Sequence, residues 1–180
     1  KFHKGRAIPK SELKKNGIPS IRYGELYTEH HNIIRKFKSF ISKEHKLESF
    51  RIIKNDLLLA GSGETIKEIG KSAVFINDFE AYAGSDILIF RPHDLDGFYL
   101  GYLMNSKLVR YQLNKLGTGS TVMHIYNSDL GKIKVPQTEK KLQTQIVKKL
   151  ELIFESIVKV EKKFFKARAL RDSLINQVFK

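Results

Sequence analysis

Cysteine and tryptophan are absent from this chain of 180 residues, and proline occurs only four times. Without cysteine there is neither a disulfide framework nor a thiolate metal site, a composition typical of proteins in a reducing cytoplasm. No apolar run approaches the roughly 20 residues that a bilayer-spanning helix needs, and no signal peptide opens the sequence. We therefore expect a cytoplasmic protein, although the chain begins at Lys1 rather than at a methionine.

Acidic residues are also scarce, since 19 Asp and Glu stand against 33 Lys and Arg, for a net charge of +14. Residues 139–180 carry a net charge of +6 and residues 1–138 a net charge of +8, so both parts contribute. Such an excess predicts a polyanionic partner, with an ordinary Lys-rich solvated surface as the alternative. The hydrophobic content of 41% is sufficient for a buried core.

Glycine and proline are both absent from residues 139–180, so nothing in this stretch is built to break a helix. Thr138 can serve as the N-cap, and Glu139 suits the positive end of the helix dipole. Apolar residues then recur at alternating steps of four and three, which is the heptad pattern of a coiled coil. This seam, interrupted at Arg171, consists of Ile146, Leu150, Ile153, Ile157, Val160, Phe164, Leu174 and Val178.

A helix of this length would extend for roughly 60 Å at about 1.5 Å per residue. A domain of about 130 residues has a radius of gyration near ~14 Å, so the helix outruns the domain that it follows. We therefore predict that the seam packs against a second helix. The alternative is a long helix folded back on its own domain.

Residues 1–137 alternate short apolar runs with turn residues, which indicates a mixed domain of strands and helices. Strands are predicted at 18–23, 50–53, 57–60, 73–76, 86–91 and 133–135, with 66–70 also strand-like. Helices are predicted at 98–105 and 107–116, with a cap at Ser106, and a short helix or turn at 33–42 after a polar loop at 24–32. The expected fold class is α+β, with a mixed α/β domain at 1–137 followed by a coiled-coil helix at 138–180.

Signatures of catalysis are missing from the sequence. Gly70-Lys71-Ser72 copies the end of a phosphate-binding loop, but Thr65 stands where that pattern requires glycine, and a strand rather than a helix should follow. The six histidines include no pair at helical i,i+4 spacing, so they predict no metal site. There is no G-x-S-x-G elbow, double proline or glycine-rich turn for a methyl donor. We expect a chain that is not itself an enzyme.

Polar and basic side chains gather instead at three places: at the end of the strand at 18–23, in the glycine-bounded stretch 61–71, and in the glycine-rich stretch 117–121. Side chains of these types hydrogen-bond base edges and phosphates, although they also line ordinary turns. The residues predicted to bind DNA are Arg22, Tyr23, Ser62, Glu64, Thr65, Lys67, Lys71, Thr118, Ser120 and Thr121.

Six stretches carry a resemblance to a known family: GIPSIRYGELY at 17–27, KNDLLLAGSGETIKEIGK at 54–71, DILIFRP at 86–92, FYLGYLMNS at 98–106, GTGST at 117–121 and KIKVPQTEKKLQTQIVKKL at 132–150. In their order and spacing, the chain resembles the specificity subunit of Type I restriction-modification enzymes over nearly its whole length. That family usually has Glu-Gln shortly after the proline that ends the last strand; here Gln137, Glu139 and Gln143 stand nearby.

The resemblance implies one target recognition domain, which reads half of a bipartite DNA site, and one spacer helix, which sets the distance between the halves. It implies methyltransferase subunits and a restriction subunit as partners, with S-adenosylmethionine and ATP bound there and no cofactor in this chain. Because full-length members carry two domains and two spacers, we expect either a half-subunit that forms a homodimer or a fragment of a two-domain chain. The alternative is a non-catalytic coiled-coil adaptor without specific DNA binding.

Overall fold

A computed structural model of the protein describes residues 1–119 and 122–179, apart from the side chain of Leu47. The chain divides into two compact units, Lys1–Lys140 and Lys141–Lys180. The strands of the first unit are β1 (Phe2–Lys4), β2 (Ile18–Ile21), β3 (Asn32–Ile34), β4 (Ser39–Ile41), β5 (Phe50–Ile52), β6 (Leu57–Ala60), β7 (Ser62–Gly63), β8 (Ser72–Phe75), β9 (Ala81–Ala83), β10 (Ile87–Phe90) and β11 (Met123–His124). The helices are α1 (Glu25–Thr28), α2 (Gly97–Met104), α3 (Lys107–Leu116), α4 (Asn127–Leu130) and α5 (Lys140–Val178), and single 3-10 turns occur at Lys10–Glu12 and His45–Glu48.

Two sheets form the frame of the first unit. The larger has the order β1-β10-β6-β8-β3, antiparallel except for the parallel pair β3–β8, in which Asn32 faces Ala73. The smaller has the order β4-β2-β9-β5, with the parallel pair β2–β9 at its centre, where Ser20 faces Tyr82. Strands from the first quarter of the chain therefore complete both sheets only by pairing with strands more than forty residues later.

The larger sheet is the middle layer of three. Its alternate residues Leu58, Ala73 and Phe75 join Ile21 and Ile52 of the smaller sheet in one fully buried cluster. Residues of its other face, Leu57, Leu59 and Val74 among them, pack against α2, α3 and α4. Alternation of side chains along each strand thus sends successive residues into two different cores.

Close packing of α2 on the middle sheet depends on Gly101. A Cβ atom at this position would lie 2.4 Å from the carbonyl oxygen of Asn32 and 3.1 Å from Val74 Cγ1. Since only glycine avoids that collision, it fixes how close the helix comes to β3 and β8. The predicted cap at Ser106 is confirmed, because its hydroxyl accepts a hydrogen bond from Val109 N–H at the start of α3.

The prediction of a short helix or turn at 33–42 is wrong. The segment forms β3 and β4 in two different sheets. Ile33 is buried against the helices and Ile34 against the smaller sheet. Two consecutive apolar residues that face opposite cores suit a strand buried on both sides, and the pattern of a buried strand is easily confused with that of a helix.

The predicted strand at 133–135 is also wrong, for a different reason. Lys134 N–H donates to Gln112 Oε1 at 2.9 Å, and Gln112 Nε2 donates to the carbonyl oxygen of Lys134 at 2.8 Å. The side-chain amide of α3 thus satisfies the peptide groups that a neighbouring strand would otherwise bind. Two smaller differences concern 24–32, which includes the single turn α1, and 66–70, which is a turn rather than a strand.

The second unit consists almost entirely of α5, a continuous helix of 39 residues. Its extent agrees with the prediction from the absence of glycine and proline. Among the described residues, no helix combines the length and the apolar character that crossing a membrane would require.

Candidate nucleic-acid interface

Two of the three predicted DNA-binding loops are joined by a small strand pair. Ser62 of β7 faces His124 of β11 in antiparallel register, and the Ser62 hydroxyl lies 3.1 Å from His124 Nδ1. His124 also exchanges two backbone hydrogen bonds with Thr118, at 2.7 and 3.0 Å. Ser62 is therefore a buried connector, whereas Thr118 is exposed at the surface beside it.

Residues 64–70 form a turn that continues directly from β7 and carries Glu64, Thr65 and Lys67 at the surface. Thr65 N–H donates to Glu68 Oε2 at 2.9 Å, and the carbonyl oxygen of Thr65 accepts from Glu68 N–H at 3.0 Å. Ile69 is fully buried beneath this turn. Gly70 ends it with φ at +63°, in the left-handed region that favours glycine.

Arg110 of α3 holds the 64–70 turn from the side. Its Nη1 donates to the carbonyl oxygen of Ile69 at 2.7 Å, and its Nη2 lies 3.0 Å from that of Lys67 and 3.4 Å from that of Ile66. Nη2 also lies 3.1 Å from Asn114 Oδ1. One guanidinium thus donates hydrogen bonds to three carbonyl groups of the turn, which would otherwise need water as a hydrogen-bond donor. Burial lowers the pKa of Arg110, but the group stays charged because its ordinary pKa is so high.

The third predicted loop, which begins at Arg22 and Tyr23, lies near the 64–70 turn. Tyr23 packs on the buried core and approaches Tyr27 with ring centroids 6.2 Å apart. Burial raises the pKa of Tyr27, and the nearby side chains of Tyr23, Glu68 and Glu64 raise it further. Leu26 of α1, which follows this loop, lines the same cavity as Lys71 and Arg110, so the loop after β2 and the 64–70 turn lie on the same side of the domain.

Glu25 organises the backbone of the loop after β2. Its carboxylate accepts hydrogen bonds from Arg22 N–H at 3.2 Å and from the Ser39 hydroxyl, and His30 Nε2 lies 3.8 Å away. Burial raises the pKa of Glu25, but the His30 ring and the hydrogen bonds from Ser39 and Arg22 outweigh it, so the pKa lies below its ordinary value. Arg22 is held by its main chain, and its side chain remains partly exposed.

Lys71 differs from Lys67, because it is partly buried and lines a polar cavity together with Ser72, Asn105 and Arg110. Ser120 and Thr121 lie outside the described residues. The described part of the surface that sequence reasoning selected therefore consists of the exposed Glu64, Thr65, Lys67 and Thr118 and the partly exposed Arg22. Sequence reasoning missed His124 and Arg110, since nothing in their neighbours along the chain indicates which hydroxyl or carbonyl group they contact.

The predicted seam of α5 is a second candidate interface. Six of its residues are at least half exposed: Ile153, Ile157, Val160, Phe164, Leu174 and Val178. The other two, Ile146 and Leu150, are partly exposed. Apolar side chains in a row on one helix are the usual mark of a surface that binds another protein. In the part of the chain that the structure describes, no cluster of three or more His, Asp or Glu side chains could hold a metal ion.

Comparison with known proteins identifies one family by sequence. The model of the family described as "Type I restriction modification DNA specificity domain" matches residues 1–164, which include the loops above and α5 as far as Phe164. No curated protein matches the chain in sequence.

Several solved structures share the fold, including the following three. One is a chain in a study of complex assembly and conformational transition of the type I R-M system, with a TM-score of 0.61 and 19% identity over 89% of this chain and 37% of that one. The S subunit of a Type I restriction-modification system from M. genitalium has a TM-score of 0.58 and 20% identity, over 86% and 36%. The HsdS subunit from Thermoanaerobacter tengcongensis has a TM-score of 0.58 and 20% identity, over 88% and 36%. The chain spans little more than a third of the length of these proteins, and none of the matches supports the alternative of an adaptor without DNA binding.

Proposed function

The chain belongs to the family of Type I restriction-modification DNA specificity domains, and we propose from this premise that it reads one half of a bipartite DNA sequence. The family match over residues 1–164 is the observation that carries the proposal. In this role the chain performs no chemistry itself. It delivers sequence recognition to a methyltransferase and endonuclease complex.

The surface formed by the 64–70 turn and Thr118 supplies the groups for this reading. Lys67 brings a positive charge that suits a phosphate, while Thr65, Thr118 and Glu64 present the hydroxyl and carboxylate groups that bind base edges. Arg110 holds the turn to α3, so these groups are presented on a fixed frame rather than on a loose loop. A fixed frame lowers the entropy lost on binding.

The exposed seam of α5 supplies the spacer. An antiparallel partner helix would cover the row of apolar residues, and it would come either from a second copy of this chain or from a second half of a longer one. Two copies related by a two-fold axis would read a palindromic, interrupted DNA site, because the symmetry of the protein is repeated in its target.

The remaining partners follow from the family. Methyltransferase subunits would dock on the paired helices and supply S-adenosylmethionine, and a restriction subunit would supply ATP-dependent cleavage. The complex would act on DNA in the cytoplasm. The net charge of +14 agrees with a duplex as the primary ligand.

Selection from a pool of random duplexes tests the proposed reading. The chain is mixed with methyltransferase subunits of a Type I system, and bound DNA is sequenced after several rounds. We expect a short fixed sequence, repeated in inverted orientation if the chain dimerises. Enrichment of no sequence by the assembled complex would contradict the proposal.

Removing one heptad from α5 tests the spacer. Deletion of residues 154–160 keeps the seam in register while it shortens the helix by roughly 10 Å. We expect the gap between the two half-sites to change while the half-site sequence stays the same. A matched variant with a seven-residue duplication should change the gap in the opposite direction, and an unchanged gap in both would refute the spacer role.

A further inference from the structure

A polar cavity of about 230 Å³ lies behind the 64–70 turn, and no role was assigned to it above. It opens where the parallel strands β3 and β8 both begin, next to the junction of α2 and α3. Leu26 is the one apolar residue in its described lining. Such a volume exceeds the roughly 30 Å³ that one water occupies in the liquid, and it is smaller than the pockets of about 300–1,000 Å³ that hold drug-sized molecules.

The walls of this cavity are fixed by Asn105. Its Nδ2 donates to Asn32 Oδ1 at 2.9 Å and to the carbonyl oxygen of Ser72 at 2.7 Å, and its Oδ1 accepts from Ser72 N–H at 3.2 Å. The starts of both strands are thereby joined to the end of α2. The cavity is formed before any ligand arrives, which favours binding because little ordering is left to do.

The Ser72 hydroxyl has no hydrogen-bond partner among the described residues, although Ser72 is only 1% exposed. A buried hydroxyl without a partner is costly, and native proteins rarely leave one so. His30 Nε2 in the same lining likewise has no hydrogen-bond partner among the described residues, since the Glu25 carboxylate is 3.8 Å away. Ser72 therefore provides the hydrogen-bonding capacity that a ligand could use.

The charges at the cavity favour an anion. Lys71 lines it and has no ion-pair partner in the described part of the chain. Arg110 uses one Nη1–H and both Nη2–H groups on the 64–70 turn and Asn114, so two of its five N–H groups remain available. No carboxylate belongs to the described lining.

We propose that this cavity is a binding site for a phosphate group. A phosphate presents several strong acceptor oxygens, and here a hydroxyl, an ammonium and a guanidinium group would surround it. The group could come from the backbone of bound DNA or from free inorganic phosphate. The first source rests on the function proposed above, whereas the second does not.

Titration of the full chain with inorganic phosphate, at constant ionic strength set by chloride, tests the site. Heat of binding and thermal unfolding are followed for the wild type, Ser72→Ala, Lys71→Gln and the control Lys15→Gln. We expect saturable stabilisation of the wild type, and affinity weaker by about two- to twelvefold in Ser72→Ala, as for loss of one hydrogen bond. Lys71→Gln should weaken phosphate binding as well, while Lys15→Gln, at an exposed position outside the lining, should match the wild type.

If Ser72 served only to stabilise the fold, Ser72→Ala would lower the stability of the ligand-free protein. A binding role predicts otherwise. Replacing a buried hydroxyl that lacks a partner by a methyl group should leave the ligand-free stability unchanged or raise it. Ser72→Ala should therefore bind phosphate more weakly without losing stability. No saturable phosphate effect on the wild type, or an equal effect on the wild type, Ser72→Ala and Lys71→Gln, would overturn the site.

Duplex binding by the same variants separates the two sources. If the phosphate belongs to DNA, Ser72→Ala weakens binding to every duplex by a similar factor and free phosphate competes with DNA. If the site takes free inorganic phosphate instead, Ser72→Ala and the wild type bind duplex with equal affinity. A wild type that binds phosphate but no duplex would contradict the proposed function while supporting this site.

Discussion

Arg91 and Asp56 form a two-point ion pair, with Nε 2.7 Å from Oδ1 and Nη2 2.8 Å from Oδ2. Asp56 is fully buried in the connection between β5 and β6, and its Oδ2 also accepts from Ile53 N–H at 2.9 Å. Hydrogen bonding to Asp56 raises the pKa of Arg91, so the guanidinium stays charged. The pair fixes the point at which the chain passes from the smaller sheet to the larger one.

Replacing Arg91 by alanine should lower the free energy of unfolding by about 3 kcal/mol, because it leaves a buried carboxylate without its countercharge. Urea denaturation measures the loss. Lys54→Ala is the matched control, since Lys54 Nζ lies 2.7 Å from Asp78 Oδ2 but the two side chains are 51% and 78% exposed. That surface pair should contribute less than about 1 kcal/mol. Equal losses in the two variants would show that burial does not decide the difference.

Glu25 should make the stability of the domain depend on acid pH. Its pKa in the folded protein lies below the ordinary value of 4.5. The contribution is therefore fully present above pH 4.5 and is lost as the pH falls through the folded pKa. We expect Glu25→Gln to be less stable than the wild type at neutral pH, with the gap closing in acid. Asp94→Asn, at an exposed position, is the control and should show little difference at either pH. A gap for Glu25→Gln that stays constant down to acid pH would refute this linkage.

Lys67→Ala should weaken binding to all duplexes alike, because an exposed ammonium on the 64–70 turn suits a phosphate rather than a base. Removing the ammonium that neutralises one phosphate should reduce the slope of log K against log salt by about 0.9. Fluorescence anisotropy over a range of salt concentrations measures the slope. Lys67→Arg, which keeps the charge, should retain the wild-type slope, and an altered sequence preference in Lys67→Ala would indicate that Lys67 reads a base instead.

Arg110→Gln should loosen the 64–70 turn, since it removes the cation that binds the carbonyl groups of Ile66, Lys67 and Ile69. We expect faster amide hydrogen exchange in residues 65–71 and weaker DNA binding. Arg110→Lys should restore little, because a single ammonium cannot reproduce the planar set of donors. If both variants exchange and bind as the wild type does, Arg110 does not position the turn.

Ile157→Gln should weaken self-association through α5. Ile157 is 50% exposed in the single chain and lies in the middle of the seam. Two such side chains are replaced per dimer, so we expect a cost of about 3 kcal/mol, or roughly a hundredfold in the dissociation constant. Sedimentation equilibrium measures it. Lys159→Gln, one half-turn away and off the seam, should dimerise normally; equal dissociation constants for both variants would place the interface elsewhere.

The elements that the sequence predicts well are those whose signals are local. The cap at Ser106, the amphipathic pattern of α3 and the uninterrupted helix-forming residues of α5 all act within a few residues along the chain. The strand at 57–60 is an apolar run between turn residues and is predictable for the same reason. The partners of this strand are not predictable in that way, because β5 and β6, although neighbours along the chain, belong to different sheets.

The errors arise where distant residues decide the structure. Ile33 and Ile34 form a strand because Val74 and Phe75 arrive beside them, and residues 133–135 are not a strand because Gln112 satisfies the backbone there. The hydrogen bond between His124 and Ser62 joins residues 62 positions apart. Residue types at the candidate interface are recognisable in the sequence, whereas the groups that hold them in place are not.

The parallel pairs β2–β9 and β3–β8 also bear on how the domain is made during translation. Neither sheet can close until β8 and β9 have left the ribosome, and β10 must follow before β1 has a neighbour. Closing such long loops early is entropically unfavourable, so we expect the first seventy or so residues to wait without stable structure. Helix α5 emerges afterwards and needs only local hydrogen bonds to form. If two chains pair through α5, their first units would therefore already be folded, which avoids aggregation between partly folded chains.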